Sequence, residues 1–231
     1  MARDGALLVR LGLAPAAERE FERGIELEPG AATTHMFYGQ YLAYMGRAEA
    51  SLVETRRALE IDPLSLETNL YFGGSYWTAR RYDEAIEQCR RIVDMDPTYW
   101  PAHLWLGRGY AQQGKLDAAL AEAERAKQLE PTIAEVTAVL GVVHAMAGRA
   151  DEARKVIAEL EERSARQHVP AYNIATIYAA LGENDRAFEW LDRAYAERSY
   201  YMAGLKVDPE VDRLRPDPRF AALLKKVGLP P

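Results

Sequence analysis

Residues 97–131 read PTYWPAHLWLGRGYAQQGKLDAALAEAERAKQLEP. Ala102–Gln113 and Leu116–Leu129 carry apolar residues at helical spacing, without the alternation a strand needs. Gly114 falls between them, where the end of a helix adopts positive φ at no steric cost. Pro131 follows the second helix and is placed to open the next one, where its missing N–H does no harm. Gly107 and Ala119 are small, and small residues facing each other let two antiparallel helices approach closely, with Leu106, Tyr110 and Leu120 filling the flanks.

Moving outward from this stretch, the same residues return every 34 positions. Pro29, Pro63, Pro97 and Pro131 form one column; Gly5, Gly39, Gly73, Gly107, Gly141 and Ala175 form another. Ala17, Ser51, Ala85, Ala119, Ala153 and Ala187 form a third. The fourth runs Gly12, Gly46, Arg80, Gly114, Gly148 and Gly182, with Arg80 as its one break. Four columns in one register define a repeat architecture built from one supersecondary unit.

The 34-residue helix–turn–helix unit, with Leu106-Gly107, Tyr110, Ala119, Ala126 and Pro131 in one copy, resembles the tetratricopeptide repeat. The resemblance implies an all-α fold, a right-handed α-solenoid of about six such repeats. A short copy at 1–31 is followed by copies at 32–65, 66–99, 100–133, 134–167 and 168–201. Ala165 and Ser199 replace the proline in the last two, which points to longer helices or altered turns at their exits. The array is taken as 1–201, and 202–231 as a C-terminal turn and capping helix. In that tail Arg219–Gly228 reads as an amphipathic helix ending at glycine. Phe220, Leu223, Leu224 and Val227 are expected to cover the last repeat and Lys225 and Lys226 to face solvent, since a solenoid end needs a polar outer face.

Composition narrows the function classes. The 231 residues are 48% hydrophobic and 28% charged, as in ordinary globular chains. A net charge of -6 argues against a nucleic-acid binder. One cysteine, Cys89, gives no internal disulfide and reads as a buried structural thiol beside Ile86 and Ile92. No apolar run approaches a membrane span, and Asp4 stands where a signal peptide wants positive charge, so the reading is soluble and cytoplasmic. The apolar residues Ala6, Leu7, Leu8, Val9, Leu11 and Leu13 form an edge expected to mediate self-association or docking.

Catalytic patterns are missing from the sequence: no phosphate loop, no dinucleotide fingerprint, no paired-histidine metalloprotease helix. His35 and His103 occupy equivalent positions two repeats apart and read as packing residues, and His144 takes the place of Tyr76, Tyr110 and Tyr178. No cofactor or metal is expected. Arg23, Arg57, Arg91 and Arg125 form a ladder, with Glu26, Glu60 and Asp94 three residues after the first three; the reading is a solvated helix face rather than an anion stripe.

The resemblance further implies a non-enzymatic protein-interaction scaffold, with the first helix of each unit lining a concave groove for a peptide or helical segment. Carried over in register, the groove holds Met36, Gln40, Tyr44, Leu70, Trp77, Leu104, Arg108, Gln112, Val142, Met146, Tyr172 and Thr176. Aromatic and methionine side chains with isolated arginines suit binding hot spots. Forms that grip a chaperone's C-terminal carboxylate carry lysine, asparagine and arginine in the groove; Met36, Gln40, Tyr71, Pro101 and Trp105 stand in those places here, so that ligand is not expected. A second resemblance points to another class. Tyr178-Ala179-Ala180-Leu181-Gly182, Ala187-Phe188-Glu189-Trp190-Leu191 and the Leu205–Leu229 tail look like the C-terminal, regulatory portion of bacterial multidomain signalling proteins, whose DNA-binding, kinase or cyclase domain this chain does not contain.

Overall fold

The structure is a computed structural model that describes residues 14–229. The edge expected at Ala6, Leu7, Leu8, Val9, Leu11 and Leu13 lies outside these residues. The described residues are helical and contain no strand.

The chain packs as two compact units. One runs to Met95 and takes in Tyr200–Asp208 and the chain from Leu224; the other holds Asp96–Ser199 and Pro209–Leu223. The first unit contains α1 (Ala14–Leu27), α2 (Ala32–Tyr44), α3 (Ala48–Ile61), α4 (Leu66–Thr78) and α5 (Tyr82–Met95). The second contains α6 (Trp100–Gln112), α7 (Leu116–Leu129), α8 (Ala134–Met146), α9 (Ala150–Ser164), α10 (Ala171–Leu181) and α11 (Asn184–Ala196). Two short 3-10 segments follow, Tyr200–Gly204 and Pro209–Leu214, then α12 (Pro218–Val227), whose residues divide between the units at Leu223. Within each unit consecutive helices pair: α2 with α3 and α4 with α5 in one, α6 with α7, α8 with α9 and α10 with α11 in the other. First helices also touch the next first helix, α2 with α4, α6 with α8 and α8 with α10.

The glycine column closes the turn inside each pair. Lys115 N donates to Tyr110 O at 2.9 Å and Gly114 N to Ala111 O at 3.0 Å, which satisfies carbonyls that the end of α6 leaves open. The same two bonds recur after α2, α4, α8 and α10. Gly114 sits at φ 70°, and Arg80, the break in the column, is held at φ 64° by the same bonds. The backbone geometry of the turn is therefore kept although the residue is not glycine. At the helix crossing, a Cβ on Gly107 would lie 3.3 Å from Ala119 O and 3.3 Å from Ala123 N, and Ala119 and Ala123 are fully buried.

The proline column does not open helices. Pro29, Pro63, Pro97 and Pro131 each stand in the turn, short of the next helix, which starts at Ala32, Leu66, Trp100 and Ala134. At the first three turns the proline has a use the sequence did not show. His103 Nε2 lies 3.0 Å from Pro97 O while its Nδ1 lies 2.7 Å from Glu122 of α7. His35 repeats this with Pro29 O (3.1 Å) and Glu54 (2.7 Å). Between them Asn69 donates to Pro63 O at 3.0 Å and accepts from Gln88 at 2.5 Å. Each buried side chain thus latches the turn before a first helix to the second helix of the same pair. The last two copies depart from this: Thr137 receives Arg163 Nη1 at 3.1 Å instead, and α9 runs one residue longer than α7, taking Ala165 as its C-terminal cap.

Candidate functional site

The first helices are buried on more than the face that meets their own partner. In α10 every residue from Ala171 to Ala180 is buried, and in α8 every residue from Val136 to Val143. Of the twelve residues expected in the groove, Met36, Trp77, Leu104, Val142, Tyr172 and Thr176 are buried. Gln40, Tyr44, Leu70, Arg108 and Gln112 are half-buried, and Met146 is exposed.

Part of what covers these helices is the tail. In the first unit the segment Tyr200–Gly204 packs on α2. A Cβ on Gly204 would lie 3.2 Å from the Tyr44 ring, so the close approach depends on glycine here. Tyr44 accepts from Gln40 Nε2 at 3.2 Å, and Phe21, Phe37, Gln40, Tyr41, Tyr44, Tyr200 and Ala203 line a small hollow. Beneath it Phe21, Tyr38 and Tyr41 cluster with ring centroids 5.5–6.2 Å apart. Both tyrosine hydroxyls donate to Glu18, which also pairs with Arg47. Burial, reinforced by the Glu18 charge, pushes both hydroxyls up to about 12, so they stay protonated donors.

In the second unit Pro209–Leu214 packs on α10. Val211 and Leu214 are fully buried. Glu210 carries a side chain only 4% exposed and accepts from Arg108 Nε at 2.9 Å; Arg108 Nη1 meets Glu135 of α8 at 3.0 Å. The Arg108 guanidinium also lies 5.3 Å from the Trp105 ring centroid. Arg213 Nη1 donates to Ala180 O at 2.8 Å, one of the last carbonyls of α10. Further along, Arg219 joins Asp217 (2.7 Å) to Asp185 of α11 (2.9 Å) and lies over the Phe188 ring at 4.3 Å. Phe220, Leu223 and Leu224 are buried and Lys225 and Lys226 exposed. The 3-10 turns of the tail, treated as mere connections in the sequence, pack on first helices and contain the buried residues Met202, Val211 and Leu214. The Arg108–Glu210 pair spans 102 positions, which no periodicity within the repeats could show.

Among the described residues no three or more His, Cys, Asp or Glu side chains are placed to hold a metal ion. Cys89 is buried, and burial pushes its thiol up to about 12. Arg57 meets Glu60 at 3.1 Å, as the ladder predicts, whereas Arg91 turns back to Glu87 at 3.3 Å; all four side chains are exposed. Among the described residues no helix is long and apolar enough to cross a membrane.

Residues 76–140, from the end of α4 to the middle of α8, match the family model described as tetratricopeptide repeat. The helix pairs resemble that repeat in fold. Solved structures agree in fold. A thermophilic tetratricopeptide-repeat protein of Thermus thermophilus is 24% identical, with 84% of this chain and 100% of that one covered and a TM-score of 0.60. A tetratricopeptide repeat protein of Parabacteroides merdae is 16% identical, with 97% and 90% covered and a TM-score of 0.59. MamA of Desulfovibrio magneticus is 18% identical, with 73% and 96% covered and a TM-score of 0.56. No curated protein sequence matches the chain.

Proposed function

We propose that the chain is a non-enzymatic, cytoplasmic protein-interaction scaffold whose first helices hold a peptide segment of a protein partner. One observation carries the reading. In each unit, taken by itself, the first-helix face already holds polypeptide, the 3-10 segments of the tail, and in the second unit that polypeptide is gripped through the Arg108–Glu210 pair. A face that orders short turns by one charged pair and a few buried apolar side chains has the makings of a peptide site: a small number of polar groups sets orientation and apolar contact supplies most of the affinity. The match of residues 76–140 to a repeat family and the fold likeness to other such proteins support the scaffold reading.

Leu70, Gln112 and Met146 are the positions to alter, because their side chains are reachable from solvent whereas Trp77 and Leu104 hold packing together. The test is affinity capture from a lysate of the source organism, with the wild-type chain and with the Leu70→Ser, Gln112→Ala, Met146→Ser variant. A partner retained by the first and lost by the second is the expected result. A partner retained equally by both overturns the reading.

A further inference from the structure

We infer that the face made by α6, α8 and α10 recognises one chemical pattern in a peptide: a carboxylate, a β-branched apolar residue directly after it, a basic residue two further on and a leucine next. The tail presents that pattern as Glu210, Val211, Arg213 and Leu214, and occupies the face as an internal ligand that a partner segment of the same chemistry replaces. The inference rests on the scaffold reading and names the partner's chemistry.

Two polar contacts and two buried apolar side chains define the pattern. The carboxylate meets Arg108, from α6, at 2.9 Å, and Glu135, from α8, holds the same guanidinium at 3.0 Å so that its fork is fixed toward the ligand. The basic side chain donates to Ala180 O at 2.8 Å, close to the C-terminal end of α10, where carbonyls lacking a helical partner attract cations. Val211 and Leu214, flanking Asp212 and Arg213, are fully buried. Asp212 is half-buried and pairs with Arg215 at 2.5 Å.

The ion pair is the reason to regard the tail as a ligand rather than as filler. Apolar contact alone would hold the segment, and a buried carboxylate–guanidinium pair recovers in attraction little more than it loses in desolvation. Such a pair discriminates: a segment without the carboxylate forfeits the contact at Arg108 Nε, whereas one with it restores every contact at no net cost. Exchange between the tail and an outside segment is therefore close to neutral in contacts, and the tail's advantage is that it is tethered, which sets a high effective concentration against any competitor.

The experiment uses the full chain and a fluorescein-labelled synthetic peptide of residues 207–217. Fluorescence anisotropy reads its binding to wild type, to Glu210→Lys and to the milder Glu210→Gln, with circular dichroism confirming the helical content of each and hydrogen exchange following the amides of 209–214. The expected result is faster exchange at those amides in both variants and peptide binding at least tenfold tighter than to wild type. A peptide with glutamine in place of its glutamate should lose that gain, as should adding Arg108→Gln to the protein. Unchanged exchange in Glu210→Gln, or equal peptide affinity for wild type and variants, overturns the inference. If a partner is still captured through Leu70, Gln112 and Met146 in that event, the scaffold reading stands and only the tail's role falls.

Discussion

The copies from 32 to 133 and those from 134 to 201 share helix pairing and the glycine turn but differ in how the turn before each first helix is secured. In the earlier copies His35, Asn69 and His103 each span from a proline carbonyl to a polar side chain on the second helix. In the later ones Thr137 and Ala171 occupy that position and the work passes to Arg163, which donates to both Thr137 Oγ1 and Thr132 O, and to Glu197, which accepts from Ala171 N at 3.3 Å. The difference teaches that the 34-residue period keeps two things here, a positive-φ turn and a small-residue crossing, while the third restraint is free to change its chemistry.

The largest effect expected from breaking the comparison is at His103. Its ring nitrogens face a carboxylate and a carbonyl, both acceptors, so both bonds form together only when both nitrogens carry hydrogen. His103→Ala removes both bonds and leaves the half-buried Glu122 and the Pro97 carbonyl without that partner, at a cost of about 2–3 kcal/mol. Arg163→Ala, in the later copies, removes contacts that are in part exposed and should cost about 1 kcal/mol. Urea denaturation midpoints check the order. Pairing His103→Asn with Glu122→Gln should recover most of the loss, since it rebuilds the Asn69–Gln88 arrangement of the copy before; no recovery would show that the two latches are not equivalent.

The crossing should be indifferent to which region it lies in. Ala119 and Ala153 are both fully buried; a Cβ on Gly107 would meet Ala119 O, and one on Gly141 would meet Val156 of α9 and Ile177 of α10. Ala119→Leu and Ala153→Leu should each cost about 1–3 kcal/mol by overpacking, with similar midpoint shifts. An unchanged midpoint in either would remove that crossing from the shared design.

A smaller effect sharpens the turn. Arg80 holds φ 64° where Gly148 holds 72° in the corresponding later turn. Arg80→Gly should therefore stabilise by about 1 kcal/mol, and Gly148→Arg destabilise by about as much, because a side chain in the left-handed region meets its own carbonyl. Thermal midpoints moving in opposite directions are the expected outcome; movement in the same direction would mean the two turns are differently strained.

These contrasts also show what could be read from sequence. The turn and the crossing are legible because each depends on a single residue type at a fixed step, Gly114 for its φ and Ala119 for its size. The latch escaped because one of its partners is a backbone carbonyl: Pro97 is visible as a proline, but not that its oxygen meets His103. For the expected groove, the register placed Arg108 on the right helix, yet Glu210 lies beyond the repeats, in a segment whose proline and turn residues mark a connection. Burial of Trp77, Leu104 and Tyr172 was equally hidden, because an apolar first-helix residue looks the same whether it faces a partner or packs within its own chain.

The smallest predicted effect depends on pH and again separates the two regions. His144 stands in the copy at 134–167 where Tyr76 and Tyr110 stand in two of the earlier copies and Tyr178 in the last, and its Nδ1 is buried without a hydrogen-bond partner. Burial, with the nearby Arg149 charge, holds its pKa below the ordinary histidine value of about 6.5. As pH falls through about 6.5 the unfolded chain takes up this proton before the folded one does, so the stability from this site is present above that point and is lost below it, until the folded imidazole protonates too. His144→Tyr restores the side chain of the earlier copies and removes the proton uptake. The variant should thus show a shallower fall in thermal midpoint between pH 6.5 and 5 than wild type, with little difference at pH 8. Parallel acid slopes for the two proteins would place the acid sensitivity of the later copies in other groups.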